Sequence, residues 1–417
     1  MCPIRESYRP SLPAKPSGGS RFTILFALMA LNFCLAGTAA EKPFVPRQKF
    51  QVLEKLRPGG LDAAAREIEK LKEELAGQPQ DGDLANRLAR LYLKRFREVS
   101  DPRSLGYAEA TLRPFTATNS TNAAALVTLA LIRQSDHRFV EALKLLDRAI
   151  LLAPDNVQAW LTRCMILQVR GEYAEARRCC VRLITLAPGP IATTAIANLA
   201  SLTGNSTGAV SALRSLVDHG PTGGTAEEQQ WTLTTLAEIE TRRGHGPVAE
   251  QYFKRSLDQS RHDPYTLGAY ADLLLEQKRF SEVIEWLASE SQVDGLLLRR
   301  VIAEQHLEPK SRRYQENRDE LQSRFDEARR RGNAVHLREE ARLLLEVKGD
   351  VQRAVKLAVA NWSVQREPAD ALLLAQCAVA AKDQPALEII ASWMTSTKLE
   401  FSTIDRLLST ASPRLAR

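Results

Sequence analysis

Residues 123–156 read AAALVTLALIRQSDHRFVEALKLLDRAILLAPDN, and residues 157–189 read VQAWLTRCMILQVRGEYAEARRCCVRLITLAPG. Laid one above the other, Leu126 meets Trp160, Phe139 meets Tyr173, Ala142 meets Ala176 and Pro154 meets Pro188, each pair 34 positions apart. Four matches in one register mark an internal repeat. Each copy reads as two amphipathic helices joined by a short turn. Such a hairpin cannot bury both its faces alone, so copies stack and cover one another.

A second pattern runs further along the chain. A glycine is followed five residues later by an alanine at Gly59/Ala64, Gly171/Ala176, Gly204/Ala209, Gly244/Ala249 and Gly349/Ala354. The glycine can take the left-handed conformation that ends a first helix. The alanine falls where the second helix crosses the first, and a close crossing leaves room only for a small side chain.

These features resemble the tetratricopeptide repeat (TPR) family, whose unit is a 34-residue helix-turn-helix. In unit 123–156 the family pattern is carried by Leu126, Leu129, Ala130, Ala142, Leu146, Ala149 and Pro154, with Arg133 in place of a tyrosine-like residue. In unit 157–189 it is carried by Trp160, Cys164, Leu167, Ala176, Cys180, Leu183 and Pro188, with Arg163 in place of a leucine. Further units read at 190–223 (Ala197, Ala209, Leu213), 230–263 (Leu236, Ala249, Phe253), 264–290 (Tyr270, Ala271, Val283) and 335–368 (Ala341, Ala354, Ala358). Units 45–79, 81–118 and 369–396 are weaker, as capping units are. The resemblance implies an all-α fold, a right-handed superhelical solenoid of hairpins. It also implies a bacterial, exported protein that holds a peptide or helix of a partner in a concave groove.

The composition agrees with a folded helical chain: 417 residues, 44% hydrophobic, 26% charged and only 6% aromatic. A net charge of +7 is too mild for nucleic acid, which calls for a basic stripe, so no nucleic-acid partner is expected. Residues 22–36, FTILFALMALNFCLA, follow basic residues ending at Arg21 and precede the small run Ala36-Gly37-Thr38-Ala39-Ala40. That is the layout of a secretory signal peptide, with cleavage expected after Ala39 or Ala40. The run is short for a bilayer span of about 20 residues. Its long basic lead leaves room for an uncleaved inner-membrane anchor facing the periplasm. A lipoprotein box around Cys34 is disfavoured by Asn32 and Phe33. The expected location is periplasmic or secreted.

The domain plan is therefore 1–40, signal peptide or anchor; 45–290, TPR-like repeats; 291–332, an irregular repeat; 333–396, C-terminal TPR-like repeats; 397–417, a cap or tail. In the irregular repeat, Ser311–Arg331 has no Gly or Pro. Its apolar positions Tyr314, Leu321, Phe325 and Ala328 predict one long amphipathic helix.

If first helices line the groove, the register assigns its wall. Gln134, Thr162, Gln168, Asn198, Thr234, Glu238 and Asp272 are the expected contact residues, with Thr128, Gln158, Thr194, Thr235, Tyr265, His336, Glu339 and Glu340 beside them. Loss of the Thr234 side chain from such a wall would be nearly neutral for stability. In the family's clamp for a C-terminal carboxylate, lysines and asparagines alternate on this wall. Asn198 fits one position, but the lysines are absent and Thr194 stands at one of their places, so that task is not expected.

No catalytic constellation emerges. The six histidines form no H-E-x-x-H, and Pro221-Thr222-Gly223-Gly224-Thr225 lacks the phosphate-cradling spacing. His336 with Glu339 and Glu340 reads as a surface charge group. No enzyme activity, metal or cofactor is expected. The cysteines Cys2, Cys34, Cys164, Cys179, Cys180 and Cys377 contain no C-x-x-C pair. Cys164 and Cys180 face each other across one hairpin, either as buried thiols or as a disulfide, with Cys179 as the alternative partner. The leading function is a protein-interaction scaffold of the cell envelope. The alternatives are a membrane-anchored spacer and, further off, an enzyme built on an α-superhelix.

Overall fold

A computed structural model describes residues 63–117, 120–219, 224–331 and 337–411, and every regular element among them is helical. A lone α1 (Ala63–Gly77) precedes the hairpin α2 (Gly82–Val99) and α3 (Pro102–Leu112). Four more hairpins follow: α4 (Ala123–Ser135) with α5 (Phe139–Leu152), α6 (Val157–Val169) with α7 (Tyr173–Leu186), α8 (Pro190–Leu202) with α9 (Ser206–His219), and α10 (Ala226–Arg242) with α11 (Gly246–Gln259). Next come α12 (Pro264–Glu276) with a short α13 (Phe280–Trp286), and α14 (Asp294–Leu307) with α15 (Arg312–Arg330). Helix α16 (Leu337–Arg342) runs into a π-helical turn, Leu343–Lys348, before α17 (Val351–Val364). The last hairpin is α18 (Pro368–Ala381) with α19 (Gln384–Thr397), and α20 (Ser402–Ala411) packs on α18. Readings of the leader, Gly59, Ala64's turn, Pro221–Gly223 and His336 concern positions outside the described residues or depend on them.

The helices begin where short polar side chains can cap them. Asn122, Asn156 and Asp263 each accept a backbone N–H three residues on, and Thr225 forms a reciprocal box with Glu228. The turns between paired helices are left-handed, with φ of +75° at Gly171, +84° at Gly204, +82° at Gly244 and +68° at Gly349. His137, Lys278 and Lys382 take the same place in hairpins that lack the glycine. Of the pattern's alanines, Ala176, Ala209, Ala249 and Ala354 are buried, as is Ala142 at the equivalent place in its hairpin, while Ala64 on α1 is half-buried.

Arg133, which breaks the family pattern, reaches back to the preceding hairpin. Its two terminal nitrogens donate to the Glu109 carboxylate, both at 2.6 Å. The charged stretch 311–331 is one helix, capped by Ser311. It buries Tyr314, Leu321 and Phe325 against Leu297, Leu298 and Val301 of α14. The segment is thus a hairpin with an overlong second helix.

Stacking alone does not describe the chain. The C-terminal hairpins lie against the turns that join α6 to α7, α8 to α9, and α10 to α11. The Arg366 backbone N–H donates to Val169 O at 2.6 Å. Leu202 is buried among side chains of α16 to α20, and Tyr173 packs on the same cluster. Arg243 pairs with Glu400 at 3.9 Å, and the Thr403 hydroxyl donates to Glu276 at 2.5 Å. Lys398 presses on Gly204 so closely that an added Cβ there would lie 2.7 Å from the lysine Cβ. An open solenoid touches only its neighbours. Here the array curves until its far end meets its middle.

Candidate functional site on the inner face

The curvature brings first helices from different hairpins into mutual reach. Asp272 on α12 accepts from Arg299 on α14 and from Arg342 on α16, so one carboxylate ties three successive first helices. Burial pushes its carboxyl up, but the two guanidinium groups outweigh that and hold it at about 2.

Glu238 on α10 accepts a 2.8 Å hydrogen bond from the Tyr265 hydroxyl on α12. Tyr265 exposes 62% of its surface, yet Glu238, Glu367 and Arg338 all act on it electrostatically. It stands in a wet recess, bounded by α10, α12, α16 and the turn before α18. Burial pushes the Glu238 carboxyl up to about 7, against the pull of Arg242.

On the C-terminal side of the recess, Asp370 is buried and accepts from Asn361 at 2.8 Å, Gln365 at 3.0 Å and the Glu367 backbone N–H at 2.9 Å. Arg338 lies between Glu367, at 3.0 Å, and Asp370, at 3.4 Å. Burial lifts Asp370 to about 6 despite Arg338.

The structure separates the expected wall residues into two groups. Glu238 and Asp272 lie on the recess, and Asn198 and Gln134 are half-buried. Thr162, Gln168 and Thr234 are inside, which corrects their placement on an open surface. Thr162 accepts from Gln158 at 3.0 Å. Gln168 accepts from Asn198 at 2.8 Å while its own amide donates to Cys164 Sγ and Ala195 O. Thr234 shares hydrogen bonds of 2.8 Å with both Ser256 and Thr266. Thr194 pairs with Thr232 in the same way at 2.9 Å, and Thr128 and Thr235 are also buried. The reason is physical: hydroxyls at these positions satisfy one another between neighbouring hairpins, so small polar residues serve the seam. Glu340 is likewise taken up by Arg329, and Glu339 by Arg338.

Arg242, Arg338 and Arg342 belong to the site and were missed. Each sits near the end of a first helix or at the start of one, where the repeat pattern assigns no role. No group of three or more His, Cys, Asp or Glu among the described residues could hold a metal ion. Cys164 and Cys180 are free, buried thiols with sulfurs 3.4 Å apart, and Cys179 accepts from Arg163. No helix among the described residues is long and apolar enough to cross a membrane.

Neither a protein-family model nor a curated protein matches the sequence. Solved structures do. A crystal structure of the APC/C hetero-tetramer Cut9-Hcn1 superposes with a TM-score of 0.51 at 12% identity, over 84% of this chain and 67% of that one. The fold is a TPR-type helical-repeat solenoid. An IFIT1 monomeric mutant with Gppp-AAAA (TM-score 0.37, 13% identity, 84% and 77% covered) and Naa15/Naa10 bound to HypK-THB (TM-score 0.27, 14% identity, 84% and 63% covered) are too loosely similar to add to this. At such identities the TPR-type likeness concerns fold alone.

Proposed function

We propose that this TPR-type chain is a protein-binding scaffold of a bacterial envelope that holds its partner on the recess between α10, α12 and α16. The observation that carries this reading is Tyr265, an aromatic standing 62% exposed in a concave site. An aromatic with a polar tip, set among charges that fix its orientation, is the usual anchor of a protein interface. Glu238, Asp272 and Asn198 supply the polar rim, and Gln134 extends it toward the N-terminal hairpins. The Cut9-Hcn1 structure is itself a complex, a hetero-tetramer, which accords with such a role for the fold.

The recess mixes Glu238, Glu367 and Asp272 with its arginines. A phosphate backbone would want a surplus of cations there, so a protein partner is favoured over nucleic acid. No catalytic role is assigned to the site.

Photo-crosslinking tests the location. A crosslinker at Tyr265 should capture a defined partner from an envelope fraction, and one at Arg178, exposed on the second helix α7, should not. Equal capture from both positions, or capture from Arg178 alone, would refute the recess. For the compartment, N-terminal sequencing of the mature chain should begin at Ala40 or Glu41. An intact leader in a membrane fraction would instead support the anchored form, held through residues 22–36.

A further inference from the structure

Arg242 closes α10 where the middle hairpins meet the C-terminal arm. Only 7% of it is exposed. One terminal nitrogen donates to the Ser201 hydroxyl at 2.8 Å, and Nε has no partner. Its guanidinium makes no ion pair with any described residue. Glu238, the acid that acts on it most, takes its hydrogen bond from Tyr265 instead. Burying a cation without a counter-ion is strongly unfavourable, and a buried donor without an acceptor calls for a water or ion to meet it.

Two more orphaned donors lie at the same seam. The Tyr173 hydroxyl, at the start of α7, and the Trp393 indole N–H, on α19, are both buried, and neither makes a well-formed hydrogen bond: the indole has only the phenol oxygen near it, and the phenol hydrogen has no acceptor. They sit beside each other, and Tyr173 also feels Arg242 and Arg366. The Arg366 side chain passes within 3.4 Å of where a Cβ on Gly171 would stand. The seam thus gathers a guanidinium, a phenol and an indole, with more hydrogens to donate than acceptors, the phenol oxygen being the one acceptor among the three. An indole N–H and a guanidinium can only donate.

We propose that this seam is a binding site for a small oxyanion, a phosphate, sulfate or carboxylate group, bridging Arg242 and Tyr173 of the middle hairpins to Trp393 of the C-terminal arm. A bound anion neutralises the buried guanidinium and accepts the stranded hydrogens. It also pins the two arms together, so it stabilises the curved form of the array. The site borders the Tyr265 recess at Arg242, but its ligand and its test do not depend on partner capture there.

The test uses the purified full chain and no partner. Phosphate, sulfate and acetate are titrated separately at fixed ionic strength against chloride, with melting temperature and tryptophan fluorescence as readouts. At least one of the three should raise the melting temperature saturably beyond chloride. Comparison of phosphate with acetate then tells a phosphoryl from a carboxylate ligand. Tyr173→Phe removes the hydroxyl and keeps the ring, and Trp393→Phe removes the indole N–H but keeps an aromatic ring against Trp362, so both should fold, and each should bind the anion about tenfold more weakly or worse, read for Trp393→Phe from the melting temperature. Arg242→Met should abolish the anion effect and, with chloride as the only anion, melt no lower than the parent chain. A merely structural arginine would instead be missed in every buffer. Absence of any shift beyond chloride would overturn the proposal. So would an undiminished shift in both phenylalanine variants, which would mark an adventitious ion only.

Discussion

The backbone N–H of Arg366 is hydrogen-bonded to the carbonyl of Val169, joining the strand of chain before α18 to the end of α6. Between them lie five and a half hairpins of the array. The bond and its neighbours at Gly204, Gly244 and Glu276 turn a row of hairpins into a structure whose C-terminal end braces its middle.

Gly204 should therefore be less replaceable than its equivalents. Its φ of +84° already disfavours a side chain, and a Cβ would lie 2.7 Å from Lys398 Cβ and 3.2 Å from Lys398 O. Gly349 has the same kind of backbone, φ +68°, with open space beside it. Gly349→Ala is expected to cost about 1 kcal/mol, from backbone strain alone. Gly204→Ala should cost about 2–4 kcal/mol because overpacking adds to it. Denaturant midpoints of the two variants check the difference, and equal losses would deny the contact with Lys398.

Thr234 offers a sharp reversal. On an open wall its truncation would be silent. Buried between Ser256 and Thr266, its loss should leave the Thr266 hydroxyl without that partner and Ser256 with only the Gln230 carbonyl, and cost about 1–2 kcal/mol. Urea unfolding of Thr234→Ala decides between the placements.

Ala176 is fully buried at the crossing of α6 and α7. Ala176→Phe should overpack that crossing and cost at least about 1–3 kcal/mol. An unchanged melting temperature would mean that the register of the repeats is wrong.

The pH response of the recess follows from Glu238. Its carboxyl titrates near 7 in the fold, above its ordinary value of 4.5, because burial disfavours the charge. Its protonated form thus favours the folded state. That contribution is full below about 4.5 and is lost as the pH rises through 7. Glu238→Gln should leave stability at pH 4.5 nearly unchanged and raise it at pH 8 by about 1–2 kcal/mol, after allowance for partial solvation. Asp370, lifted to about 6, adds a slope of the same sign that the variant should retain. Stability measured from pH 4.5 to 8 in both chains reads this directly.

Asp272 has the opposite sense. Arg299 and Arg342 hold it at about 2, so its contribution is present above its ordinary 3.8 and disappears as the pH falls through 2. Asp272→Asn should lose about 1–3 kcal/mol at neutral pH by leaving two half-buried guanidinium groups short of a partner. The loss should shrink in acid.

The hairpins were legible in the sequence because they obey local rules. Gly171, Gly204 and Gly244 mark turns, and Ala142, Ala176 and Ala249 mark crossings, by chemistry that acts within one unit. Tyr314, Leu321 and Phe325 likewise declare α15 by spacing alone. The inner face was only half legible. The inner-face position of Glu238 and Asp272 was legible because it recurs with the repeat. Thr162 and Thr234 misled, since a threonine at those positions looks the same whether its hydroxyl meets water or another threonine. The contacts of Arg366, Lys398 and Leu202 left no local trace. They depend on the accumulated curvature of many hairpins, which no single unit encodes.

Curvature is the central claim, and one engineered crosslink tests it most directly. Arg243 and Glu400 form an ion pair at 3.9 Å between the middle turns and the C-terminal arm. Cysteines at these two positions, bridged by a bismaleimide long enough to span two extended side chains, should join within one molecule, seen as a linked 243–400 peptide by mass spectrometry. Failure of that link to form in a folded chain, or its appearance only between molecules, would contradict the account.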